Sequence, residues 1–240
     1  MKTKLYSLMA VLFAVAAGAQ AQIVLLDPVI SDSYMAFTGE NKANNYRFVL
    51  DTYEWKDRGP QFQLTIEPLD AAQPAQFTTS DLSDPNYWEP MFRTYTQKLA
   101  PQEMTVQDNL KRLYVKNVAI LPKQFYDYAN LKIISIEADG DYTIPDGCFS
   151  ENTHLETFDS NVKGNLTLGY YIVNPKLGFN VKVYTKQGAD AWNNYRSNSS
   201  AQFTVDDSGV VQTAIRQDVN GDGVVDSQDV FEIYQYMQEH

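Results

Sequence analysis

The chain has 240 residues, one cysteine, two histidines and a formal net charge of −11 at neutral pH. That length holds one or two domains with a real core, and the charge argues against nucleic acid or an anionic membrane surface as partner, since either would repel it. The single thiol, Cys148, excludes an internal disulfide framework, and one internal histidine, His154, nearly excludes zinc sites built from Cys and His.

The first residues read as an export signal. Met1-Lys-Thr-Lys is a basic head, Leu5 to Gly18 is an uncharged and largely apolar run, and Ala19-Gln-Ala21 has the small-x-small form that a signal peptidase cuts. Residues 1–21 are therefore expected to be removed, leaving Gln22 first and taking the charge from −11 to −13 with the loss of Lys2 and Lys4. The apolar run is too short for a permanent span, and no cysteine follows the cut to carry a lipid. A secreted or cell-surface protein with no membrane span is expected.

Residues 22–105 read as β-rich. Tyr46 to Trp55 is dense in aromatic and β-branched side chains, and Gln61 to Ile66 alternates, with Phe62, Leu64 and Ile66 on one face. Lys56-Asp-Arg-Gly-Pro60 between them has turn chemistry, so a hairpin is predicted. Asp70 to Asn86 has loop composition. Tyr87-Trp-Glu-Pro-Met-Phe92 then makes an aromatic knot, readable as a plug for one end of the core or as a platform for sugar rings.

Residues 106–196 show a period. Leu110, Leu131, Leu155 and Leu177 open successive units of 21, 24 and 22 residues. Leu110-x-x-Leu113-x-Val115 and Leu131-x-x-Ile134-x-Ile136 carry one strand pattern, and Leu155-x-x-Phe158-x-Ser160 is a weaker copy. A second marker follows in each unit as Leu121-Pro122, Ile144-Pro145 and Leu168-Gly169, with Phe125, Phe149 and Tyr171 beyond it. This combination resembles the BspA-like leucine-rich repeats of exported and surface proteins of Bacteroidetes type. The resemblance implies a short solenoid with an apolar core and a binding surface on the strand positions between, here Arg112, Tyr114, Lys116, Ser135 and Glu137. Val181 to Tyr195 is similar to the closing strand and helix of such arrays, with Ala189, Trp192 and Tyr195 on one helical face.

Residues 197–216 read as a linker or loosely attached strand. In residues 217–240, Asp218-Val-Asn-Gly-Asp-Gly-Val-Val-Asp-Ser-Gln-Asp229 places side-chain oxygens at loop positions 1, 3, 5, 9 and 12, as Asp218, Asn220, Asp222, Asp226 and Asp229. Gly223 stands at the sharp turn, and Val224 at position 7 would offer its carbonyl. Ca2+ is a hard cation that takes six to eight oxygens on such a chain, so it is the expected cofactor. After the loop, Val230, Ile233, Tyr234 and Met237 recur at helical intervals. Aspartate rather than glutamate at position 12, with a helix after the loop and none before it, resembles a dockerin repeat, a half EF-hand. That family usually carries two loops, and its usual partner is a cohesin. Upstream, Asp206-Asp-Ser-Gly-Val-Val lacks the ligand spacing of a second copy.

The whole reads as a mixed, β-rich chain: a β-region, a short leucine-rich solenoid, a linker and a dockerin-like loop-helix. No nucleophile-elbow sequence accompanies His154, which is expected to be an exposed turn residue, and there is no phosphate-cradling glycine loop. The expectation for function is a non-catalytic binding or adhesion-type protein with a protein or glycan ligand at the repeat surface. The alternative is an accessory component of a polysaccharide-degrading assembly, docked through a calcium-dependent contact with a cohesin-like protein. Carboxylates are abundant enough that a glycosidase pair stays open on residue types alone.

Overall fold

The computed structural model describes residues 23–77, 106–121 and 129–210, apart from 28, 32, 33, 57, 58 and 177. Alternation of apolar and polar residues builds the N-terminal half. Strands β1 (Val24–Leu25) and β2 (Val29–Ile30) are two short pieces on one edge of β3 (Met35–Asn41), which pairs with β4 (Tyr46–Lys56). The predicted hairpin is present: β4 pairs antiparallel with β5 (Gly59–Pro68), and the ladder closes at Lys56 and Gly59. Met35, Phe37, Phe48, Leu50, Phe62, Leu64 and Ile66 point to one side and are buried. Large aromatic and aliphatic side chains of this kind each contribute roughly 1.5–3 kcal/mol on burial.

After a single helical turn, α1 (Val106–Asn109), the chain enters β6 (Leu110–Lys116), which lies parallel to β5. Strands β7 (Ile133–Ala138), β9 (Thr157–Val162), β11 (Phe179–Val183) and β12 (Phe203–Asp206) follow side by side, each parallel to its neighbour. One ten-stranded mixed sheet results, antiparallel in its first half and parallel in its second. A small parallel pair, β8 (Tyr142–Ile144) with β10 (Leu166–Leu168), forms a second layer.

This architecture corrects the expected fold class. The β-region does not give way to a separate leucine-rich solenoid, because β5 hydrogen-bonds directly to β6 and the sheet continues without a break. Among the described residues no solenoid stands as a unit of its own. The leucine-led positions are real strand positions within the shared sheet: Leu113 pairs with Ile134 and Ile134 with Phe158, all buried. The second markers also meet, Ile144 opposite Leu168. The third aromatic does not. Phe149 bridges Val173, and Tyr171 is left exposed. Of residues 197–216, read as a linker or loosely attached strand, 203–206 are the last strand of the sheet. A C-terminal loop-helix is no part of the described fold, since residues 211–240 lie outside the described residues.

Polar side chains stitch neighbouring units together at their turns. Asp141 Oδ1 accepts from the Asn165 amide at 2.8 Å, and Lys163 reaches back to Asp139. Gly164 is required for this approach, because a Cβ there would lie 2.4 Å from the backbone of Gly140 and Asp141.

The helix expected near Ala189 is α2 (Lys186–Asn198). Thr185 caps it, accepting from the Gly188 amide at 3.1 Å and donating to the Val162 carbonyl at 2.9 Å. Ala189 and Trp192 are buried against the last strands, and Tyr195 packs half-buried beside them. Trp192 sits at the hub of an aromatic cluster, with ring centroids 4.9 Å from Phe158 and 5.4 Å from Phe203. Cys148 is buried. No helix among the described residues is long and apolar enough to cross a membrane.

Candidate binding face

Because side chains alternate across a strand, the residues opposite the core form a second, outward face. Strand register places them in rows. One row runs Thr38, Val49, Thr65, Tyr114, Ser135, Asp159, Lys182, Asp206. The next runs Asp51, Gln63, Arg112, Ile133, Thr157, Asn180, Thr204. The described long helix α2 packs on the other side, through Trp192 against Phe158 and Phe203. The sequence-predicted positions Arg112, Tyr114, Lys116, Ser135 and Glu137 therefore do share one face.

Two carboxylates on this face are held in unusual states. Asp51 Oδ2 accepts from Tyr34 Oη and from Gln63 Nε2, both at 3.3 Å. Burial nevertheless pushes its carboxyl above the usual carboxylate range, against the pull of those two bonds. Asp159 accepts from Tyr184 Oη at 3.3 Å, and burial raises it too, opposed by that bond and by Lys182. Each phenol is raised in turn, by burial first and then by its aspartate. Between the two pairs, Arg112 lays its guanidinium 3.8 Å over the ring of Tyr53, whose hydroxyl donates to Gln61 Oε1 at 2.9 Å.

Spacing decides what these carboxylates can do together. Asp51 is on β4 and Asp159 on β9, four strands apart, or about 19 Å at ~4.8 Å per strand. Glycosidase pairs stand roughly 5–9.5 Å apart, so Asp51 and Asp159 cannot flank one scissile bond. Neither residue had a sequence signal, because their partners lie across the sheet or in another turn.

Their raised values set a sign for stability. A carboxyl whose folded value exceeds its unfolded value stabilises the fold below the unfolded value and loses that contribution as pH rises through the folded one. Asp51→Asn should therefore leave the protein as stable as the parent, or more so, near neutral pH, and the difference should shrink near pH ~4. Thermal unfolding at the two pH values measures it. A variant markedly less stable at neutral pH would show that the Tyr34 and Gln63 bonds outweigh burial.

His154, the one internal histidine, is exposed in a turn, with Nδ1 2.9 Å from Thr153 Oγ1 and 3.3 Å from the Ala129 carbonyl oxygen. The calcium ligands read from the sequence, Asp218, Asn220, Asp222, Val224, Asp226 and Asp229, lie outside the described residues, as does the Tyr87 to Phe92 knot. Among the described residues, no group of three or more His, Cys, Asp or Glu is placed to hold a metal ion. No protein-family model, no curated protein and no solved structure matches the chain.

Proposed function

We propose that the chain is an exported, non-catalytic binding protein that presents the outward face of its sheet to a protein or glycan ligand. One observation carries this reading: the parallel half of the sheet turns a continuous polar and aromatic face away from its core and from α2. Parallel strands are usually covered on both sides by helices, whereas among the described residues the one long helix, α2, packs on the other side, which suits this face to a partner. It offers phenol, guanidinium, ammonium and carboxylate groups on a stiff support, which suits recognition of a mixed polar partner. The separation of Asp51 from Asp159 favours binding over acid–base chemistry at this face.

In this reading Asp218, Asn220, Asp222, Val224, Asp226 and Asp229 hold Ca2+ in the tail, and export supplies the calcium that a loop of the extracellular class needs. Screening the chain from Gln22 onward against immobilised proteins and glycans tests the proposal. Reproducible capture is expected, weakened about tenfold or more, roughly 1.4 kcal/mol, when Arg112→Ala and Tyr184→Ala are combined. Capture that ignores both substitutions would move the site off this face.

The ligand spacing of the calcium loop favours a second reading, an accessory subunit docked through residues 217–240 to a cohesin-like partner. Deleting those residues would then abolish capture while the face substitutions leave it intact.

A further inference from the structure

A groove on the opposite side of the molecule from the outward face lies between β10, the turn that follows it and the C-terminal half of α2, with a volume of about 860 Å3. That lies inside the ~300–1,000 Å3 range of ligand sites. None of the described residues lining it is charged, although a fifth of the chain is. Its chemistry is aromatic rings, side-chain amides and hydroxyls.

Two of those rings are displayed rather than packed. Tyr170 is 80 % and Tyr171 67 % exposed, the two most exposed aromatic side chains among the described large hydrophobic residues. The chain invests in holding them there. Tyr171 has φ of 50°, a left-handed conformation uncommon for a bulky residue. Asp146 Oδ1 accepts from the Tyr170 amide at 2.8 Å, and the Gly147 amide donates to the Tyr170 carbonyl at 2.9 Å. Gly169 lets this turn close, since a Cβ would lie 2.4 Å from Asp146 Oδ1 and 2.5 Å from its backbone nitrogen. On the far side the Ile172 amide donates to Tyr195 Oη at 3.1 Å, which fixes the ring of Tyr195 in the groove wall. Nothing in core packing calls for two exposed tyrosines on a pinned, strained turn.

The helix side supplies the matching polar groups. Asn198 Nδ2 donates to the Asn194 carbonyl at 2.9 Å and to Asn194 Oδ1 at 2.7 Å. This leaves the Asn194 amide hydrogens as donors beside Asn198 Oδ1 as acceptor. A donor next to an acceptor, facing tyrosine rings in an uncharged groove, complements vicinal hydroxyls on a ring whose C–H face can lie on an aromatic plane. A charged ligand would find no counter-charge among the described lining residues and would be desolvated at a cost.

We infer that this groove is a binding site for a neutral saccharide chain, with Tyr170 and Tyr171 as stacking platform and Asn194 and Asn198 as hydroxyl-reading pair. The inference names a ligand class within the binding reading above and places it on a different surface from the outward face.

Affinity electrophoresis of the chain from Gln22 onward in gels holding mixed-linkage β-glucan, arabinoxylan, galactomannan, glycogen or α-mannan tests it, with polygalacturonate as the anionic comparator. At least one neutral polysaccharide should retard the protein and polygalacturonate should not. Tyr170→Ala, at an exposed position, should weaken that retardation at least tenfold with an unchanged melting temperature, and Tyr171→Gly, which accepts the same backbone conformation, should weaken it as well. Retardation by none of the five, or by polygalacturonate alone, would overturn the inference, as would tighter binding of uncharged peptides than of any glycan. Retardation undiminished in both variants would remove the groove and leave the binding reading standing, whereas cleavage of the retained polysaccharide would remove that reading itself.

Discussion

Trp192→Ala is expected to cost about 3–5 kcal/mol of stability, the range for truncating a large buried aromatic. Trp192 is fully buried, and its ring contacts Phe158 of β9, Tyr195 of its own helix and Phe203 of β12. Phe203 in turn stacks on Phe179 at 5.2 Å, so the tryptophan ties helix α2 to the last strands through one aromatic cluster. Removing it leaves a cavity at the end of the sheet, where no further described strand shares the load. Trp192→Phe should be much milder. It keeps most of the ring and removes an indole N–H that has no hydrogen-bond partner among the described residues, a buried donor that itself costs about 1–3 kcal/mol. Urea unfolding of the parent and both variants measures the difference. A loss below about 0.5 kcal/mol for the alanine variant, the size of an ordinary surface change, would show that α2 is not part of the cooperative fold.

Asp222→Ala should abolish the calcium binding proposed for the tail. Asp222 is the position-5 oxygen of the loop, and a hard cation needing six or more oxygens does not tolerate replacement of a carboxylate by a methyl group. Calorimetric titration of the chain from Gln22 onward should show one site in the parent, with an affinity in the ~10⁻⁴–10⁻³ M range of extracellular modules, and none in the variant. No heat in the parent would remove calcium from the account; an unchanged site in Asp222→Ala would place the ion elsewhere.

Local pattern carried the strands and failed at their joining. Phe62, Leu64 and Ile66 announce β5 by alternation alone, and Leu113, Ile134 and Phe158 announce three parallel strands by their common place in a period. Nothing near Gln63 signals that it will pair with Arg112, since that contact joins segments far apart in the chain. Local pattern therefore divides a single sheet into two modules. The site was harder still. Burial by the assembled sheet raises the carboxyls of Asp51 and Asp159, and the Tyr34 and Tyr184 hydroxyls that oppose it reach them across turns and strands. Tyr171 was legible as an aromatic in a repeat, yet its backbone turns it outward while Val173 takes the place opposite Phe149. The calcium expectation rests on a different kind of signal: Asp218, Asn220, Asp222, Asp226 and Asp229 fall within twelve residues, so their spacing is local and needs no pairing across the fold, and they lie outside the described residues.

Binding without turnover is the central property proposed for this protein. Incubating the purified chain from Gln22 onward with each polysaccharide of the gel panel, and assaying new reducing ends, tests that most directly. Retention on at least one of them with no release of reducing ends is the expected result. Reproducible, protein-dependent release of reducing ends from any of them would contradict it.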